Sequence, residues 1–279
     1  MSKMARSRRR IRSRVWRWVS AVVLIGIVAI VGYQRIVVAP ASPRDLQSGL
    51  RATSPKVSAK PAALPSRYLI HVPGIDQYPQ LPNGCEVTSL TMMMDAAGHP
   101  VSQMTLAAEM PKDRTPLVLT VSTTSDGQVV HHVKYWGNPN VGFVGSVYQA
   151  GEGYGIYHGP MTRFLNRLMP GRAEDLTGDS FHTILQHVAE GTPVEVWTTT
   201  TFKPTTDWVT WQSPEGLVKA TPWEHAVLVV GYGPGTIYVN NPLNGEAAEP
   251  VAAAPFIQSW RQLGKQAITY RARSGSRSR

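Results

Sequence analysis

Near residue 191 the hydrophobic period of this chain changes, and that change restricts the fold more than any other feature. Before it, apolar residues recur every three or four positions. Residues 104–110 and 159–169 read as helices, the second with Met161, Phe164, Leu165 and Leu168 on one face and Pro170-Gly171 as its stop. Residues 181–190 form a third, closed by Gly191. After it come short β-branched or aromatic runs, 194–202, 208–212, 217–220, 225–232, 236–240 and 266–270, separated by turns such as Ser213-Pro214-Glu215-Gly216. A short strand, 68–72, and a helical run, 87–97, open the domain. Helices followed by an antiparallel sheet define an α+β architecture. Residues 113–135 read as an extra hairpin around Asp126-Gly127, with no role that the sequence assigns.

Charge is unevenly spread. The chain carries a net +10, yet residues 1–17 hold eight Lys/Arg and no acid, while residues 66–270 hold 11 Lys/Arg against 17 Asp/Glu, a net −6. A nucleic-acid reader needs its basic face on the folded part, so no nucleic-acid partner is expected. The arginines instead precede the uncharged run 19–33, flanked by Trp16, Trp18 and Tyr33. With its interfacial residues this run approaches the roughly 20 residues that cross a bilayer. It predicts one transmembrane anchor over 18–38, with 1–17 cytoplasmic and the body outside. The competing reading is a signal peptide cleaved near Ala39-Pro40-Ala41. Both readings export the body. Residues 39–66, with Pro40, Pro43, Pro55, Pro61 and Pro65 among Ala, Ser and basic residues, form a linker; 67–270 form one domain; 271–279 are a basic tail with nothing to bury. The expected partners are the membrane and a peptide or protein substrate in the cell envelope, and the expected state is a monomer.

Cys85 is the only cysteine, so an exported body has no internal disulfide and the thiol needs another reason to exist. It follows the turn Leu81-Pro82-Asn83-Gly84 and heads the helical run in which Val87, Leu90, Met94 and Ala97 share a face. A helix start favours the thiolate, and a lowered thiol pKa is expected there. Free cysteine is also commonly a small buried hydrophobe. Of the eight histidines, His225 is the best placed partner, because it begins a strand whose other residues are apolar. That strand turns at Gly233-Pro234-Gly235. Pairing Tyr232 with Thr236 sets Val227 opposite Asn241, which brings His225 and Asn241 to the same end and face of the hairpin. An amide there can hold an imidazole, although each residue alone also suits a plain structural role.

Weaker motifs point nowhere in particular. Gly151-Glu152-Gly153-Tyr154-Gly155 lacks the spacing of a nucleotide loop, and the histidines fit no metal motif, so neither cofactor nor metal is expected. Trp136, Tyr154 and Tyr157 line a cleft or fill a core.

Taken together, Asp76-Gln77, the run from Leu81 to Met94, Trp136 to Gly145, Gly153 to His158, Glu224 to Tyr232 and Tyr238 to Gly245 resemble exported bacterial proteins grouped with the bacteriocin-leader-processing cysteine peptidases, cysteine peptidase family 39. The resemblance covers roughly residues 67–270. It implies a papain-like cysteine peptidase fold with Cys85 as nucleophile, His225 as general base and Asn241 as the residue orienting it, at a position where relatives usually carry aspartate. Gln77 matches the glutamine that forms the oxyanion hole with the Cys85 backbone N–H. The implied activity is hydrolysis of peptide or isopeptide bonds through a Cys85 thioester. The alternatives are acyl transfer to an amine, and an inactive module that binds peptide or cell-wall polymer.

Overall fold

The computed structural model describes residues 63–272. In chain order it holds β1 (Tyr68–Leu69), α1 (Cys85–Ala96), α2 (Gln103–Glu109), β2 (Lys112–Asp113), β3 (Val118–Thr123), β4 (Val129–Tyr135) and β5 (Phe143–Val144). Then follow α3 (His158–Leu168), β6 (Ala173–Asp175), α4 (Phe181–Ala189), β7 (Val194–Thr199), β8 (Val209–Ser213) and β9 (Gly216–Ala220). The chain closes with β10 (Glu224–Gly233), β11 (Thr236–Asn241), β12 (Glu246–Ala252), α5 (Ala253–Gln262) and β13 (Ala267–Tyr270). The predicted basic segment and anchor, and nearly all of the linker and tail, lie outside the described residues. Among the described residues no helix is long and apolar enough to cross a membrane.

A seven-stranded antiparallel sheet in the order β12-β11-β10-β7-β13-β6, with β1 added to β10, divides the apolar residues into two cores. Strand alternation does the dividing. Val194, Val196, Val227 and Val229 face Phe181, Ile184, Phe256 and Trp260 of α4 and α5. Trp197, Ala226 and Leu228 face Leu90, Met93, Met94, Met161 and Phe164 of α1 and α3. Because β10 is covered on both sides, it reads as an unbroken apolar run instead of an alternating one.

Helix α1 departs from the one-sided helix expected from the sequence. Every residue from Cys85 to Met94 is buried, because β10 packs on one side while residues of α2 and α3 close the other. Its buried hydroxyls are satisfied: Thr88 donates to Gln103 Oε1 at 2.8 Å, Ser89 to the Ala226 carbonyl at 3.3 Å and Thr91 to the Val87 carbonyl at 2.8 Å. A helix sealed all round holds its first residue in place.

The sequence reading missed β12 and α5. Pro250 disguises β12, a position tolerated because β12 lies at the sheet edge. The predicted hairpin at 113–135 exists as β3 and β4, and it extends through β8 and β9 into a separate four-stranded sheet.

Candidate active site

The β10–β11 hairpin reaches its expected end by an unexpected route. The turn closes with Gly233 opposite Thr236, one residue later than predicted, and an irregularity between Val229 and Gly231 then restores the offset, so Leu228 pairs with Asn240. His225 and Asn241 consequently meet. His225 Nε2 lies 2.9 Å from Asn241 Oδ1, and both residues are buried.

The orientation of the Asn241 amide can be deduced from its other contacts. Its Nδ2 donates to the Glu249 carboxylate at 2.7 Å, and its Oδ1 accepts the Leu243 N–H at 3.1 Å. With oxygen facing the imidazole, Nε2 must carry the ring hydrogen and Nδ1 is left as the acceptor. Burial drives the His225 pKa down to about 4, against the opposing hydrogen bond from Asn241, so the ring is neutral near pH 7. Sequence reasoning missed Glu249, which stands on the edge strand it did not detect.

Cys85 and His225 line one cleft of about 410 Å³, together with Gln77, Tyr78, Glu224, Trp136 and Trp211. The Ala226 backbone hydrogen-bonds the sulfur, tying the thiol to the residue that follows His225. Gln77 is buried; its Nε2 donates to the Pro82 carbonyl at 2.9 Å in the turn before Cys85, and its own N–H is held by the Pro242 carbonyl at 2.9 Å. Of the four residues singled out from the sequence, Gln77, Cys85 and His225 line one opening, and Asn241 holds His225 from behind it.

One expectation is overturned. The thiol pKa is raised, not lowered: burial dominates, and the charges of Glu86 and Glu224 add to it, outweighing the Ala226 hydrogen bond. A helix start was visible in the sequence, as was Glu86 next to Cys85, whereas the folding of Glu86 against Sγ and the approach of Glu224 were not. Glu86 Oε2 lies 3.4 Å from Sγ, while its Oε1 accepts the Ile156 N–H at 2.7 Å. Burial lifts the Glu86 pKa to about 7 despite that bond. Glu224 and the fully buried Glu195 are also pushed up, first by burial and then by other carboxyls of the group. A glutamate inside the otherwise apolar run Val194-Glu195-Val196-Trp197 was the available signal for Glu195.

The aromatic residues divide between cleft and core. Trp136, Tyr154 and Trp211 line the Cys85 cleft, with Trp211 5.9 Å from Trp136 and 5.2 Å from Tyr154 between ring centres. Val133 of β4 and Val209 of β8 complete that wall, which gives the unassigned hairpin a place beside the site. Tyr157 faces a neighbouring hollow and shares a 2.8 Å hydroxyl contact with Tyr154.

Comparison with known proteins identifies the family. Residues 69–268 match the model of the Peptidase_C39 like family. The uncharacterised protein YvpB of Bacillus subtilis (strain 168) is 36% identical over 190 residues, which span 68% of this chain and 70% of YvpB. A solved structure from Bacillus anthracis, assigned to the C39-like peptidases, superposes with a TM-score of 0.65 at 38% identity, covering 75% of this chain and 99% of that one. The match spans the whole folded body, from the strand before the glutamine to the last strand of the main sheet, and the chain belongs to the peptidase C39-like family.

Proposed function

We propose that this chain is a papain-like cysteine peptidase that hydrolyses peptide or isopeptide bonds through a thioester on Cys85. The observation that carries the reading is the fixed tautomer of His225: Asn241 occupies Nε2, leaving Nδ1 as the acceptor in a cleft that Cys85 also lines. A neutral imidazole and a protonated thiol form the resting pair. His225 Nδ1 takes the thiol proton as sulfur attacks the carbonyl carbon, so the imidazolium and the oxyanion arise together. The Cys85 N–H, which has no partner one turn back in its helix, and the second N–H of Gln77 Nε2 receive the oxyanion. Collapse expels the amine, which leaves with the proton from His225. Water, deprotonated by the same nitrogen, then releases the acid and restores the thiol.

The raised thiol favours a slow or conditional nucleophile, and for that reason a module that only binds peptide is the second reading. A thiol-directed peptide electrophile separates the two. Labelling of Cys85 is expected to depend on proton transfer to His225 and to fall at least 100-fold in His225→Ala, the scale of a lost general base. Equal labelling of the two proteins would leave the binding module standing. For location, we propose an anchor over 18–38 that holds the domain on the outer side of the membrane, supported by the arginine-rich segment before an uncharged run.

A further inference from the structure

We propose that Cys85, Glu86 and Glu224 form a binding site for a single divalent cation of the zinc class, entered from the cleft, whose occupancy masks the sulfur. One ligand atom from each of the three lies within 4.8 Å of the other two. The Sγ to Glu86 Oε2 separation of 3.4 Å is already that of two ligands on one ion. Tetrahedral zinc, with its characteristic sulfur and oxygen bond lengths, sets such atoms about 3.5 Å apart.

Two further features converge there. Gly155 gives the carboxylates room: a Cβ at that position would stand 2.5 Å from Glu86 Oε1 and 3.1 Å from Glu224 Oε2, so both lean over bare backbone. The second is a set of buried carboxyl oxygens without partners. Glu224 Oε1 and both oxygens of Glu195 are buried without a hydrogen-bond partner. Strand alternation places Glu195 on the same face of β7 as Trp197, whose indole binds the Ile156 carbonyl next to the N–H that holds Glu86. No lysine or arginine lines the cleft, and the ion pairs among the described residues, His158 with Asp175 and Arg271 with Glu174, lie elsewhere. A cation supplies what this layer lacks.

The donors select its class. A thiolate disfavours magnesium and calcium, two carboxylates disfavour monovalent copper, and sulfur with oxygen suits zinc or its cobalt substitute. Three protein ligands leave the fourth position open toward the cleft. Histidine spacing in the sequence gave no hint of this, because the ligands come from α1 and β10 and only one of them is adjacent to Cys85. Cation binding is independent of whether the site hydrolyses anything; the masking alone rests on Cys85 as nucleophile.

Cobalt titration of the metal-free full chain tests the site directly, through the near-ultraviolet thiolate-to-cobalt charge-transfer band. One equivalent is expected to saturate the band, Cys85→Ser to abolish it, Glu224→Gln to weaken binding at least tenfold, and Glu224→Asp to weaken it less. His158→Ala, remote from these ligands, is expected to bind as the wild type does. The proposal fails if no band develops, or if Glu224→Gln binds unchanged, which would mean that protons alone neutralise the carboxyls. Zinc competition should slow alkylation of Cys85 by iodoacetamide in proportion to occupancy, and an unchanged alkylation rate at full occupancy would overturn the masking. Failure of the peptidase reading leaves the cobalt band untouched, so the two results are separable.

Discussion

The amide of Asn241 is held from three sides: His225 and the Leu243 N–H on its oxygen, and Glu249 on its nitrogen at 2.7 Å. This explains why asparagine serves where the resemblance led one to expect aspartate. A carboxylate at 241 would face the carboxylate of Glu249 with no hydrogen between them. Asn241→Asp is therefore expected to lower stability by about 1–3 kcal/mol at neutral pH through a broken hydrogen bond and like-charge contact. Combining it with Glu249→Gln, which presents an N–H to the new carboxylate, should recover most of the loss. Urea denaturation of the two single variants and the double variant checks this, and additive losses would refute the pairing.

At the scale of elements, legibility followed chain separation. The period of α3 and α4 and the hairpin bearing His225 and Asn241 could be read because the residues that decide them are near neighbours in sequence. The burial of α1 from Cys85 to Met94 could not be read, since Thr88, Ser89 and Thr91 look like an exposed face until α2, α3 and β10 close around them. Glu86, Glu195 and Glu224 come from three elements, and nothing local joins them. The Ser89 hydroxyl reaching the Ala226 carbonyl marks how closely α1 lies on β10. Ser89→Leu, which would look harmless on an exposed face, is expected to cost about 1–3 kcal/mol through overpacking. Its denaturation midpoint measures this, and an unchanged value would mean that the helix has room to move off the sheet.

For the whole molecule, the buried carboxyls make stability depend on pH in the sense opposite to that of paired surface acids. An unfolded glutamate loses its proton near pH 4.5, while folded Glu195 keeps it because burial, and then the Glu86 charge, raise its pKa well above that value. Proton binding thus favours the folded state: the contribution is complete below about pH 4.5 and declines as pH rises toward the folded pKa. Glu86 follows the same rule over a shorter window that closes at about 7. Glu195→Gln cannot ionise. Its stability should fall less steeply than that of the wild type between about pH 5 and 8, by up to about 1.4 kcal/mol per pH unit for the one proton removed from the balance. Chemical denaturation across that range measures both slopes. Parallel slopes would mean that Glu195 is ionised in the folded chain, and a group with both oxygens sealed from water and unpartnered can stay ionised only with a counter-charge delivered from outside.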